Sequence, residues 1–329
     1  MLPPDYVAFL RRHRHRCRTH WASQWFEQES IRLFLGAFSV HANVAPGDVG
    51  GGQLAWLFDS VIQDFGNKVV KGGMLNVSRA LARCLEHRGG MIRTTARVSR
   101  ILIEQGKAVG VRLSNGEEIS VGRLVASTVD LRTLVLDLLG EVVVGEDIAH
   151  KIERYEWGDS ILVIYLALCG PLEFKAGEET ARASYVHCTP PSLEYVAQMF
   201  VQVRAGLLPA RPVMVVCNDY TADPGRVPSG KGLIKILVKC VPYEIRGDVT
   251  RKIAAQNWKA ARELYADHVI DLLTEHYIPN LKARILEALL RELKRMIVPI
   301  AVRIDIPPFL NFPLSSFCAP CHSAPSNGK

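Results

Sequence analysis

The chain has 329 residues, enough for roughly two domains. Hydrophobic content of 48% and charged content of 22% fit a globular protein with a sizeable core. The net charge of +7 owes much to Arg11-Arg12-His13-Arg14-His15-Arg16-Cys17-Arg18, which reads as a solvated helix face. No nucleic-acid-binding motif accompanies that run, so nucleic acid is excluded as a partner. No apolar stretch approaches the roughly 20 residues that span a bilayer. Residues 1–16 lack the apolar core of a secretory signal. Cysteines 17, 84, 169, 188, 217, 240, 318 and 321 are scattered, several of them in apolar runs. They read as reduced thiols of a cytoplasmic protein.

In chain order, residues 4–64 are expected to be mostly helical, broken at Ala45–Gly52. Lys71-Gly72-Gly73-Met74 is a turn, followed by a helix from Leu75 to Arg88 that Gly89-Gly90 terminates. The period then changes to that of strands: Met91–Arg93, Val98–Glu104, Ala108–Leu113, Glu118–Ser120 and Arg123–Ser127. Gln105-Gly106-Lys107 and Ser114-Asn115-Gly116 are the turns between them. Asp130 is placed to cap a helix running through Leu139. A second sheet is expected from Ser160–Cys169, Ala183–Cys188, Val213–Asn218 and Leu233–Val241. Pro190-Pro191-Ser192 opens a helix to Arg204, and a long helix is expected to start at Asp248.

The series Gly72-Gly73-Met74, Leu81, Gly89-Gly90, Val98-x-x-Ile101, residues 106–119 and Leu124–Asp130 resembles the phytoene desaturase-related branch of the FAD-dependent amine oxidase superfamily. Later stretches agree in the same order: Pro228–Gly232, Val241-Pro242-Tyr243 and Tyr277–Asn280. The likeness covers residues 20–285, and the ordered series carries it, not any single motif. It implies an α/β fold, α+β by looser naming. Residues 65–145 would form an incomplete, Rossmann-like FAD-binding domain. Residues 1–64 and 146–285 would form a substrate domain of mixed sheet and helices, with 286–329 an unaligned tail. The resemblance also implies FAD as cofactor, with main-chain contacts from Val98 to the adenine end. Ala126, Ser127 and Thr128 would pass close to the cofactor, and Gly72 and Gly73 would stand near the junction with the substrate side.

No G-x-G-x-x-G follows a strand, so the usual pyrophosphate cradle is not found. A truncated family member is therefore expected, with an open sheet edge through which a second chain could pair.

Several local patterns are set aside. Cys318-Ala319-Pro320-Cys321-His322 matches a haem-attachment motif but follows a proline-rich stretch without an export signal, and no metal site is assigned. Gly225–Gly232 nearly spells a P-loop, yet Gly232 stands where Ser or Thr should, and a strand follows. His187-Cys188 and Asp219-Tyr220 are read as structural. Residues 281–297 make a basic amphipathic helix, more often packed on its own domain than laid on a membrane surface. The leading function is hydride transfer from a small apolar or amine-like substrate to flavin, with no catalytic residue assigned. The alternative is a non-catalytic remnant that binds a hydrophobic ligand or a partner chain.

Overall fold

The computed structural model describes residues 26–42, 44–48, 60–66, 68–155, 158–254, 256–286 and 299–300. The basic run at 11–18 and the Cys318–His322 motif lie outside them. Helix α1 (Glu29–Ala37) continues into a 3-10 turn at Phe38–Ala42, and residues 60–65 are helical. Helix α2 (Leu75–His87) ends as its paired glycines predict. The Gly89 amide bonds to Glu86 and the Gly90 amide to Leu85, with Gly89 at φ +80°.

Strands β1 (Val98–Glu104), β2 (Lys107–Leu113) and β3 (Glu118–Ser120) then form an antiparallel sheet in that order. Gln105 and Gly106 both take positive φ, as a two-residue hairpin loop requires. At the second turn the Asn115 side chain accepts from the Glu117 amide. Two expected strands are not strands. Met91–Arg93 and Arg123–Ser127 are irregular, because no described strand runs beside either to satisfy its backbone. Arg93 is instead held by Glu117 through two bonds of 2.7 and 2.9 Å. Asp130 does cap the next helix by accepting from the Thr133 amide at 3.0 Å. That helix winds as a π-helix over Thr133–Leu139. Helices α3 (Glu141–Val144) and α4 (Glu146–Glu153) follow.

The four expected pieces of the second sheet assemble together. Strands β4 (Ser160–Leu168), β5 (Tyr185–Cys188), β7 (Met214–Cys217), β8 (Gly232–Val241) and β10 (Pro299–Ile300) make one antiparallel sheet in the order β10-β4-β8-β7-β5. Between them lie α5 (Glu178–Arg182) and α6 (Leu193–Arg204), whose N-cap Ser192 accepts from the Tyr195 amide. The short strand β6 (Leu207–Leu208) pairs in parallel with β9 (Gly247–Asp248).

Strand alternation sends Leu162, Ile164, Leu166, Ile234, Ile236 and Val238 to one face. There they pack with Ala261, Tyr265, Val269 and Leu273 of helix α7 (Trp258–His276). Tyr265 is fully buried and donates its hydroxyl to the Pro209 carbonyl at 2.9 Å. A smaller cluster gathers Val196, Met199, Phe200 and Val203 of α6 against Val213, Val40 and Cys240.

The long helix begins ten residues later than expected. Asp248 closes a loop instead, accepting from the amides of Thr250, Lys252 and Ile253 and from the Thr250 hydroxyl at 2.6 to 3.1 Å. Asn257 takes over as N-cap. Of the helix expected over 281–297, the described part is helical only in α8 (Leu281–Arg284), and 287–297 lie outside the described residues. Ile285 is extended and bridges Leu168, where the unpaired backbone of β4 accepts the chain. The described chain is thus α+β, with antiparallel sheets predominating.

Candidate functional site

The glycine turn is the first component. The Gly73 amide bonds to the Val70 carbonyl at 2.8 Å, closing a turn whose third residue, Gly72, lies at φ +75°. A type II turn demands that conformation, and a side chain there would be strained. A Cβ on Gly72 would also stand 2.5 Å from the Asn76 side-chain nitrogen. The turn is anchored from afar, since the Gly72 amide donates to the Asp223 carboxylate at 2.6 Å. Gly73 is buried beside the Arg226 guanidinium, which pairs with Asp219 at 3.3 Å.

The second component is the face of the five-stranded sheet turned away from α7. Register places Tyr165, Lys235, Cys217 and Tyr185 in one row across β4, β8, β7 and β5. The next row is Val163, Leu237, Val215 and His187. Lys239 follows on the same face of β8, its amide bonded to the Val213 carbonyl. The first row and the Gly73-Met74 turn enclose a cleft of about 240 Å³, completed by Asp219, Tyr220 and Arg226.

Burial controls the electrostatics of this wall. It pushes the Tyr185 hydroxyl up to about 12, with Cys217 and Asp219 adding to the effect. It holds His187 down at about 4, helped by the charge of Lys239, so the imidazole is neutral near pH 7. Burial likewise lowers the Lys239 ammonium. Cys188, Cys217 and Cys240 are buried free thiols, raised by desolvation and poor nucleophiles. His187 and Cys188 project to opposite faces of β5 and form no dyad, and Asp219 is committed to Arg226.

Of the residues singled out in the sequence, only Gly72 and Gly73 belong to the turn at this cleft. Val98 begins β1, an edge strand among the described residues. Ala126, Ser127 and Thr128 are exposed on an unladdered segment, where the Ser127 hydroxyl accepts from the Val129 amide at 3.4 Å. Sequence reasoning missed the wall itself. Its signal was present: Lys235 and Lys239 fall on the same parity of the otherwise apolar run 233–241. A larger cleft of about 770 Å³ opens at the other end of the β4–β8 ladder, among Ser160, Val241, Tyr243 and Trp258, away from the glycine turn. Among the described residues no cluster of three or more His, Cys, Asp or Glu could hold a metal. No described helix is long and apolar enough to cross a membrane.

No protein-family model matches the chain. It is 24% identical over 278 residues to pyridine nucleotide-disulfide oxidoreductase domain-containing protein 2 of Rattus norvegicus, covering 80% of this chain and 46% of that protein. It is 26% identical over 250 residues to a lycopene-forming phytoene desaturase of Paracoccus, covering 76% and 46%. The chain is related to the phytoene desaturase branch of the FAD-dependent oxidoreductases. It spans about half the length of the curated relatives it matches. A solved structure of an oxidoreductase from Methanosarcina mazei shares the fold, with TM-score 0.56 and 18% identity, over 87% of this chain and 60% of that one.

FAD, the cofactor of this branch, has a partial fit here. The open edge of β1 and the unladdered backbone at 124–128 offer main-chain groups to a planar ring system. The described residues hold no glycine loop at a helix N-terminus to take the two phosphates. Among the described residues, then, main-chain groups that could meet FAD are present and a phosphate cradle is not.

Proposed function

We propose that this chain supplies the substrate wall and part of the cofactor margin of an FAD-dependent oxidoreductase that removes a hydride from a largely apolar substrate. The observation that carries the reading is the meeting of the Gly72-Gly73 turn with the Tyr165–Tyr185 row across one cleft. Residues 65–145 then act as the partial FAD domain, and 1–64 with 146–285 as the substrate domain. A bound flavin would supply the hydride acceptor.

The chain's own residues orient and exclude. Val69, Val70, Met74, Tyr165 and Leu233 give the substrate an apolar lining. The Asp223 and Arg226 contacts fix the turn against it, and water is kept from the reacting carbon. Main-chain groups at Gly72, Gly73, Val98, Ala126, Ser127 and Thr128 face the cofactor in this reading. Helix α2 has no buried residue, and its stripe of Leu75, Val77, Leu81 and Leu85 is exposed. The relatives are about twice as long, so we place the remainder of the cofactor domain on that stripe.

Titration of FAD with the full chain, read by quenching of flavin fluorescence, tests the proposal. Saturable quenching that ADP competes away, with flavin lost on desalting, is the expected result. FAD that stays fully fluorescent at saturating protein rejects the cofactor role.

A further inference from the structure

The larger cleft, of about 770 Å³, has the size of a small-molecule site and takes no part in the reading above. It opens on the sheet face that α7 covers, and Val241 at its edge lies roughly 20 Å along β8 from Lys235 of the glycine-turn cleft. A bulge shapes that edge. Ser160 registers with Val241 and Leu162 with Val238, so Lys239 and Cys240 together stand opposite Ile161. The extra residue returns Val241 to the α7 face, where it lines the cleft with Leu162 and Ile245, each at most 5% exposed. Trp258 completes the apolar lining, its indole N–H fixed by the Pro242 and Tyr243 carbonyls at 3.0 and 3.1 Å.

The polar groups at this cleft are mostly donors without acceptors. Ser160 is 5% exposed, and among the described residues its hydroxyl has no hydrogen-bond partner. The start of the 19-residue helix α7 borders the cleft through Asn257 and Trp258. Asn257 takes the amides of Ala260 and Ala261, which leaves those of Trp258 and Lys259 without a partner among the described residues. Arg246 rests its stem on Gly206 and has no ion pair. Glu244, the acid among the lining residues, is exposed and not paired with Arg246. A helix N-terminus attracts anions, and a buried hydroxyl without a partner in the chain calls for an acceptor from outside it.

We propose that this cleft is a second binding site, for an apolar molecule that ends in a carboxylate. The head lies at the start of α7 and accepts from the Trp258 and Lys259 amides, the Ser160 hydroxyl and Arg246. The body lies on Leu162, Val241, Ile245 and the Trp258 ring. Glu244 at the rim opposes a second negative charge, which favours a carboxylate over a phosphate monoester. The site is independent of flavin and of the oxidoreductase reading.

The test is calorimetric titration of the full chain, without flavin, with decanoate, decan-1-ol and decylamine, which share a body and differ in the head. Decanoate should bind about 10-fold more tightly than decan-1-ol, the range of one charged hydrogen bond, and decylamine should bind no better than the alcohol. Ser160→Ala should weaken decanoate binding by about 5-fold and keep the melting temperature, since the hydroxyl has no partner in the chain to lose. Should that variant nevertheless fail to fold, the exposed Arg246→Gln serves as the second probe. It should weaken decanoate binding by about 3-fold and leave decan-1-ol binding unchanged. Lys235→Met, in the other cleft, should leave decanoate binding unchanged. No binding of decanoate, equal binding of decanoate and decan-1-ol, tighter binding of decylamine, a preference that survives Ser160→Ala and Arg246→Gln, or its loss in Lys235→Met overturns the proposal. No arm of the test involves FAD, so its failure leaves the proposed function standing.

Discussion

Residues 158–286 bury one face of their sheet beneath α7 and part of the other beneath α6, whereas in residues 68–155 helix α2 has no buried residue. Both stretches have a similar apolar content in sequence, yet only the first closes on itself. In the first, β4, β8, β7 and β5 pair side by side, and helix α7 covers the sheet they make. In the second, the three-stranded hairpin sheet is satisfied, but Met91 at 88% exposure and Leu81 at 66% face solvent. A helix with an apolar stripe needs a second layer to stabilise it. The difference separates the part whose stability is internal from the part shaped to join a larger cofactor domain.

The contrast can be broken by mutation, most strongly in the core. Phe200→Ala should cost about 3–5 kcal/mol in denaturant unfolding, because the cavity beneath α6 cannot collapse against a sheet. A cost below about 1 kcal/mol would mean that α6 is not part of a fixed core. Asp248→Ala should cost about 2–3 kcal/mol, since it strands the amides of Lys252 and Ile253. Burial alone would raise this carboxyl, but the hydrogen bonds from Thr250, Ile253 and Lys252 outweigh it and hold the pKa below 3.8. Its contribution is therefore present above pH 3.8 and lost as pH falls through the lower folded value. The melting curve of Asp248→Asn should lack that acid limb. At the junction of the two stretches, Gly72→Ala should cost about 1–2 kcal/mol through its left-handed φ and weaken FAD quenching.

A pH series sharpens the picture on the wall side. His187 is depressed to about 4, so its contribution is complete above 6.5 and declines as pH falls toward 4. Asp159 is raised by burial to about 6, with Arg204 opposing, so its contribution is complete below 3.8 and declines as pH rises through 6. The two slopes oppose each other between pH 4 and 6. Asp159→Asn should unmask a rise in melting temperature with pH that the unmodified chain hides. The smallest effect is expected on α2, where Leu81→Ala should change stability by less than about 0.5 kcal/mol.

Much of the fold was legible because its signals are local. Asn115-Gly116, Gly89-Gly90, Ser192 and Asp130 each act within a few residues, and each does what its chemistry predicts. What failed depends on distant partners. Arg123–Ser127 has strand composition but no strand beside it among the described residues, and the helical spacing that starts at Leu281 gives way at Ile285 to a bridge with Leu168 of β4. Asp248 looked like a helix cap because a carboxylate that collects three amides is chemically the same device in a loop as at a helix start. The site was half visible. Gly72-Gly73 announces its turn, but Asp223, which anchors it, is 151 residues away. The row of Tyr165, Lys235, Cys217 and Tyr185 exists only once four strands are in register.

Amide hydrogen exchange of the chain with and without saturating FAD measures the central claim most directly. The account predicts slowed exchange at Gly72 and Gly73, at Val98 and its β1 neighbours, and at residues 124–128, with the core strands β7 and β8 unchanged. Unchanged exchange at all three segments, or protection confined to the large cleft near Trp258, would contradict it.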